Sequence, residues 1–439
     1  MSDRMSRGVS RGGWSRAAIV GAAAGVSVSR LRAAEPGRAL KIGLIGSGAR
    51  GTGAALDAMN ADPNVRVVAL ADLFADRIAR CREQLLARIS IEDKYCFVGL
   101  DAFSKVLELD VDYVILATPP HFRPDHLEAA VEAGKHVFME KPAAVDPVGI
   151  RKVLAAGEKA ASRGLAIVAG TQRRHHKGYI ETVRRIHDGA IGRILAAQCY
   201  WNQEGPRNEA RFLENRTGRP DFEWMIRGWY RWRWLSGDHI VEQHVHNIDV
   251  INWVLGTHPT RVVAMGSRHR RLSGDQYDWF AADFVYPGDK NHQEIRVLSQ
   301  CRQITGCTKD ISERVVGETG VSNCNGWIST VGKLDVKSPP EYVQEHADLI
   351  AAIRAGKPIN EARNIAESTL CGIMARMSAY SGKAVTWDQA MKSDEKLSPP
   401  DVKLAPENLK SLIPVPGAEA GPPRGGRAPA AARKKGVAN

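Results

Sequence analysis

Long apolar runs are missing from the 439 residues. None reaches the roughly 18 consecutive apolar residues that a membrane-spanning helix requires, so stable helical insertion is excluded. Cysteine is sparse and unpatterned. Cys81, Cys96, Cys199, Cys301, Cys307, Cys324 and Cys371 are odd in number and contain no C-x-x-C pair. This excludes a zinc ribbon or a dense disulfide scaffold, and leaves open one bridge among Cys301, Cys307 and Cys324 if the chain is exported. Surplus charge is absent from the body of the chain. The formal net charge is +12, but residues 1–40 hold seven Arg against two acids, and residues 416–439 hold five Lys or Arg against one. The remainder carries only +3, which gives no footing for a nucleic-acid partner.

What is present is an ordinary soluble composition, 44% hydrophobic and 25% charged, over a length that suits two or three domains. The two ends do not read as fold. Arg4, Arg7, Arg11 and Arg16 precede a short run of small and apolar residues at 17–28, followed by small-residue cleavage contexts at Ser27-Val28-Ser29 and Ala33-Ala34. Ser10-Arg11-Gly12-Gly13-Trp14-Ser15-Arg16 is similar to the twin-arginine pattern S-R-R-x-F-L-K, with Gly12 where the second Arg belongs. Residues 1–34 are therefore expected to be an export signal and the location periplasmic, the alternative being a basic extension on a cytoplasmic enzyme. Residues 396–439, rich in Pro, Ala, Gly and Arg, are expected to be a flexible tail.

From residue 40 the pattern changes. Leu40-Lys41-Ile42-Gly43-Leu44-Ile45 reads as a strand buried on both faces and runs into Gly46-Ser47-Gly48-Ala49-Arg50-Gly51. A helical stretch follows, then a strand at 65–71 ending at Asp72, which lies 21 residues after Gly51. Gly46 permits a tight turn, Gly48 lets the backbone approach a pyrophosphate, and Gly51 lets helix and strand pack closely. The helix N-terminus offers N–H groups and a positive dipole end to the phosphates. Asp72 suits ribose hydroxyls and repels a 2′-phosphate, which predicts NAD rather than NADP. Strand-like runs at 95–98, 111–118, 136–140 and 166–169 alternate with helical stretches, notably 124–133 and 147–161. That alternation predicts a parallel sheet covered on both faces, with ligands at the carboxyl ends of its strands. Thr118-Pro119-Pro120 and Glu140-Lys141-Pro142 fall at such ends.

These pieces form a recognisable series. Ala117-Thr118-Pro119-Pro120, His126, Ala133-Gly134-Lys135-His136-Val137 and Glu140-Lys141-Pro142, with the opening glycines, resemble the glucose–fructose oxidoreductase / inositol dehydrogenase (GFO/IDH/MocA) family. Gly189-Ala190-Ile191-Gly192, the stretch His246-Asn247-Ile248-Asp249 with Trp253 and Gly256, and Ala352-Ile353-Arg354-Ala355-Gly356-Lys357-Pro358 extend the likeness over roughly residues 40 to 392. The resemblance implies an α/β fold: a Rossmann domain at 40–172, then an α/β domain at 173–395 with a large, mostly antiparallel open sheet. It also implies a homo-oligomer, dimer or tetramer, and a nicotinamide cofactor. The activity implied is hydride transfer at a hydroxyl or keto carbon of a sugar, glycoside or cyclitol. Two alternatives stand beside it: glycoside cleavage by oxidation and elimination, and a non-catalytic sugar-binding protein on a dehydrogenase fold.

The resemblance also assigns the site. Lys141 matches the catalytic lysine, able to stabilise developing alkoxide charge. His246 matches the acid–base histidine. Glu242 stands where relatives often carry Asp. Residues 242, 246 and 249 fall on one face of a helix expected to start near Gly237, so Glu242 and Asp249 are expected to support His246. The cofactor would be held by Gly46, Ser47, Gly48, Ala49, Arg50, Gly51, Asp72, Thr118, Pro119, Pro120, His126, Glu140 and Lys141. Four of the ten tryptophans crowd into residues 224–234 with Arg227, Tyr230, Arg231 and Arg233. Aromatic faces and Arg forks suit sugars, so Arg173, Trp229, Tyr230 and Trp232, with Glu242 and His246, are expected to bind substrate. His239, Glu242, His244 and His246 do not have the spacing of a known zinc hydrolase, and no metal is expected.

Overall fold

The computed structural model describes residues 38–206, 209–214, 221–288, 294–400 and 412–417. The expected export signal at 1–34 lies outside them, as does most of the expected tail.

Six short strands make a parallel sheet: β1 (Leu40–Ile45), β2 (Val65–Asp72), β3 (Cys96–Val98), β4 (Tyr113–Leu116), β5 (His136–Met139) and β6 (Ile167–Ala169), in the order β3-β2-β1-β4-β5-β6. Strands β1, β4 and β5 are almost wholly buried, as strands covered on both faces must be. The connecting helices are α1 (Ala49–Ala61), α2 (Ala75–Leu85), α3 (Ala102–Leu107), α4 (Arg123–Glu132) and α5 (Pro147–Ser162). The order reverses beside β1, so the turns after β1, β2 and β4 open into one crevice.

Beyond α6 (Lys177–His187) the chain builds a nine-stranded sheet. Its long strands are β7 (Ile194–Gln203), β8 (Arg261–Ser267), β9 (Trp279–Tyr286), β10 (Ile295–Gln303) and β11 (Asp310–Gly317). Short strands β12 (Val321–Ser322), β13 (Trp327–Ile328), β14 (Gly332–Lys333) and β15 (Val385–Thr386) complete the order β14-β13-β12-β11-β7-β10-β9-β8-β15. All its paired strands run antiparallel except β7 and β10. Between β7 and β8 lie α7 (Glu209–Glu214), α8 (Asp221–Arg227), α9 (Arg233–Ser236), α10 (His239–Glu242) and α11 (Val245–Leu255). After β14 come α12 (Glu341–Ala355), α13 (Ala362–Ser381) and α14 (Trp387–Lys392).

The two halves interlock. Leu349, Ile350 and Ile353 of α12 sit in the core of the first sheet with Leu40, Ile42 and Phe138. Ile167 of β6 takes up the main chain at 359–361 beside it. The segment after α14 departs from the expected tail where it is described. Leu397 and Leu412 pack on an aromatic cluster around Trp224 and Trp232, the Leu397 N–H bonds Asp146 at 2.9 Å, and the Tyr277 hydroxyl bonds the Pro414 carbonyl at 2.8 Å. Its leucines and prolines act here as side chains with a surface to cover, which composition alone does not reveal. All seven cysteines are free, so the bridge left open among Cys301, Cys307 and Cys324 is not formed. Among the described residues no helix is long and apolar enough to cross a membrane.

Candidate active site

The turn from β1 into α1 has the form a dinucleotide requires. Gly46 has φ +98, and a Cβ there would press to 2.6 Å on the Ala117 carbonyl carbon. A Cβ on Gly51 would meet the Gly46 carbonyl oxygen at 1.9 Å. Gly48, the N-cap of α1, has no side-chain cap and faces open space, where the only close atom is Arg77 Nη1 at 3.7 Å from a built Cβ. Uncapped first-turn N–H groups beside a side-chain-free surface form an anion cradle. Asp72, at the end of β2, accepts from Ser47 N at 2.9 Å and Phe74 N at 3.0 Å. Burial raises its proton affinity, opposed by Arg77 and by these two amides.

A cavity of about 620 Å³ follows this turn. It is walled by residues 45–52, 71–73, Thr118 and Pro119, with Arg77 and Phe103 further along. His126 closes one side, bonded to Thr118 Oγ1 at 3.1 Å and packed on Phe103 at 4.3 Å. Burial, helped by Arg123, pushes His126 down to about 4, so it is a neutral ring in the wall. The volume, the glycine cradle and the acid at the end of β2 fit an adenine dinucleotide. Pro120, Glu140 and Lys141 do not line this cavity. Glu140 instead pairs with Arg50, whose guanidinium also reaches Asp57 at 3.1 Å and the buried Glu345 of α12 at 3.2 Å. That network joins the glycine turn to the turn after β5 and was invisible in sequence, because Glu345 lies 295 residues from Arg50.

Lys141 lies just past β5, next to the turn after β4, because Leu116 pairs with Met139. Its ammonium donates to the Glu242 carbonyl at 2.6 Å and to Glu242 Oε1 at 2.9 Å. Lysine from the first domain and glutamate from the second thus meet, and both are nearly buried. The expected single helix from Gly237 is in fact two, α10 and α11. At the join His246 N and Asn247 N bond carbonyls three residues back, a tightened turn that offsets Glu242 from the α11 face. Asp238 caps α10 in a left-handed backbone (φ 82), held by Tyr277 N at 3.2 Å and by the Tyr380 hydroxyl.

His246 stacks on Trp201 of β7, with ring centroids 5.5 Å apart. The His246 ring makes no hydrogen bond among the described residues, and the residue is only 7% exposed. Burial, then the charges of Lys141, Arg173 and Arg50, drive its proton affinity well below the usual histidine value. Arg173 lies over the other aromatic neighbours, 5.7 Å from the Trp201 ring, and is paired with Glu313 of β11. Glu313 also accepts from Asn247 at 2.6 Å. Trp201 and Glu313 had no signal in the sequence: each sits in an ordinary alternating strand and is brought here only by sheet register.

Two further expectations fail. Asp249 does not touch His246. Arg174 takes both its oxygens, at 2.8 and 2.9 Å, and Ser368 adds a bond at 2.7 Å, so it anchors α11 to neighbouring elements. Trp232 is wholly buried, edge-on to Trp224 at 5.4 Å, and belongs to a core. Trp229 lines the cavity of about 620 Å³ with Ile226. The Tyr230 hydroxyl accepts from Gln303 at 2.5 Å. Among the described residues no group of three or more His, Cys, Asp or Glu is disposed to hold a metal ion.

Comparison with known proteins agrees with this architecture. Residues 40–168 match an oxidoreductase family with an NAD-binding Rossmann fold, and residues 179–321 match the GFO/IDH/MocA C-terminal domain. Inositol 2-dehydrogenase 3 of Saccharopolyspora erythraea is 31% identical over 354 residues, spanning 79% of this chain and 90% of that protein. Inositol 2-dehydrogenase 4 of the same organism is 31% identical over 238 residues, 54% of this chain and only 60% of its own length. The fold is shared with scyllo-inositol dehydrogenase from Lactobacillus casei with bound NAD(H) and scyllo-inositol (TM-score 0.60, 19% identity, 80% of this chain and 99% of that one). It is shared equally with aldose–aldose oxidoreductase from Caulobacter crescentus (TM-score 0.61, 19% identity, 80% and 100%). The chain belongs to the GFO/IDH/MocA family of NAD-binding oxidoreductases.

Proposed function

We propose that this oxidoreductase oxidises a secondary hydroxyl of a cyclitol or sugar, or reduces the corresponding ketone, with Lys141, Glu242 and His246 as its reacting-centre residues. One observation carries the reading: Lys141 from the first domain bonds Glu242, four residues before a buried His246 whose ring carries no hydrogen bond among the described residues. NAD, held by the glycine turn, Asp72, Thr118 and Pro119, supplies the hydride acceptor when bound. An ammonium has three N–H donors, and two of Lys141's go to Glu242; the third is left for the substrate oxygen. His246, neutral because of its cationic and buried setting, takes the hydroxyl proton at a free ring nitrogen. Glu242 balances the Lys141 charge, and its Oε2, buried and without a partner, accepts from a neighbouring hydroxyl. A non-catalytic role would not need a free imidazole beside an ammonium in a water-poor site.

The nucleotide stays on the protein between turnovers. Ile226 and Trp229 wall the cavity from the second domain, and Arg227 clasps Asp76 of α2 at 2.9 Å while covering the Phe74 ring at 3.8 Å. Retention suits export in the folded state, the reading drawn from residues 1–34. A second copy covers the open sheet face, where Val263, Met265 and Leu298 are exposed on β8 and β10. Incubating purified protein with NAD and a panel of inositols, aldoses and keto sugars tests the function. Nucleotide reduction by at least one polyol is expected; tight NADH binding with no turnover across the panel overturns it. Nucleotide released on denaturation of the purified protein tests retention.

A further inference from the structure

Arg123 opens α4 and is 2% exposed. A cation in that place is opposed twice, by loss of water and by the positive end of the helix dipole. Among the described residues no carboxylate forms an ion pair with it. Its guanidinium instead donates from Nη1 to the Pro142 carbonyl and from Nη2 to the Thr118 carbonyl at 2.5 Å. These carbonyls belong to the turns after β5 and β4, and Pro142 directly follows Lys141. Burial lowers its proton affinity to about 10, opposed by Glu140 and Glu242, so it is charged at neutral pH. The other wholly buried arginine at this junction, Arg376, has a carboxylate, Glu395 at 2.6 Å, beside its carbonyl partners Val145 and Gly237. Arg123 has only main chain to hold.

We propose that Arg123 is a positioning residue for Lys141. Its planar fork spans two carbonyls from adjacent turns and so sets where the Lys141 ammonium meets Glu242. A lysine, a point donor on a flexible stem, does not hold both carbonyls in the fixed planar spacing of a guanidinium fork. The inference rests on Lys141 as the group that polarises the substrate oxygen, so its test needs a readout that does not depend on turnover.

Full-length Arg123→Lys and Arg123→Met are compared with wild type and Lys141→Ala. The pH-dependent rate at which Lys141 is acylated by a water-soluble N-hydroxysuccinimide acetate is followed by peptide mass spectrometry. Both Arg123 variants are expected to raise that rate severalfold as Lys141 is freed from Glu242, with NADH affinity unchanged and thermal unfolding still cooperative. On any polyol the wild type oxidises, kcat falls by about 10²-fold with KM little altered, as expected for misplacement by about 1 Å. In a Lys141→Ala background the Arg123→Lys change adds nothing. An unchanged acylation rate overturns the proposal, and so does an additive double variant. Loss of cooperative unfolding in both variants also overturns it, because the cation then serves folding. Faster acylation alongside a wild type that oxidises no polyol sinks the functional reading and supports this one.

Discussion

The glycine turn and the cluster at His246 are assembled in opposite ways. The turn at residues 46–51 is contiguous, and its neighbour Asp72 is one βα unit away. Each of its residues is dictated by backbone conformation or by close approach. The cluster at His246 draws Lys141 from one domain, Glu242 and His246 from two short helices, and Trp201, Arg173 and Glu313 from a sheet and the turn before it. The first can be damaged by a methyl group. The second depends on whether two domains hold their relative positions.

Breaking the second region alone should produce the largest effect. His246→Ala and Lys141→Ala should each lower kcat by about 10²–10⁴, with NADH affinity, read by fluorescence titration, unchanged. An equal loss of nucleotide binding would erase the distinction between the regions. Next come the tryptophans that the sequence grouped together. Trp232→Ala should cost about 3–5 kcal/mol in urea unfolding, since it is wholly buried. Trp229→Ala should leave stability near wild type and weaken NADH binding, since it lines the cavity.

Within the first region, Asp72→Ala removes the acceptor of Ser47 N and Phe74 N. It should lower stability by about 1–3 kcal/mol, the cost of leaving buried donors unpaired, and weaken NADH binding by removing the acceptor for the ribose hydroxyls. A finer test concerns charge around His246. Its depressed proton affinity keeps the imidazole neutral to lower pH than usual, so the acid limb of kcat/KM should lie below 6.5. Arg173→Met removes a neighbouring cation and should move that limb upward. The last effect is on the pH dependence of stability. His126 is held down to about 4 against an ordinary 6.5, so between those values the unfolded chain binds a proton that the folded one refuses. Stability should fall as pH drops through that window, by at most about 1.4 kcal/mol per pH unit for this group. His126→Phe should flatten that part of a melting-temperature profile.

The legibility of the two regions followed from the range of their contacts. Gly46, Gly48, Gly51 and Asp72 were readable because turns and helix ends leave local marks. Lys141 and His246 were readable through the motifs around them. Asp249 was misjudged because helical spacing places it under His246, whereas Arg174 and Ser368, on other elements, take its carboxylate. The join between α10 and α11 leaves no composition signal, so the shared face of residues 242, 246 and 249 was drawn too simply. The aromatic run at 224–234 was legible only as a run. Which rings pack in a core and which line the cavity depends on helices too short for any periodicity to declare a face.

The order of residues was sufficient to determine the parallel sheet, the glycine cradle and the acid at the end of β2, because these depend on steric limits and hydrogen bonding within a few tens of residues. Tertiary structure alone decided that Lys141 meets Glu242, that Trp201 and Glu313 frame His246, that Arg123 grips two turns, and that Leu397 and Leu412 pack rather than dangle. Those contacts join separate elements of the fold or depend on which surfaces are left to cover. Their geometry is a property of the packed whole, where burial and unscreened charge, not local preference, set which arrangement has the lowest free energy.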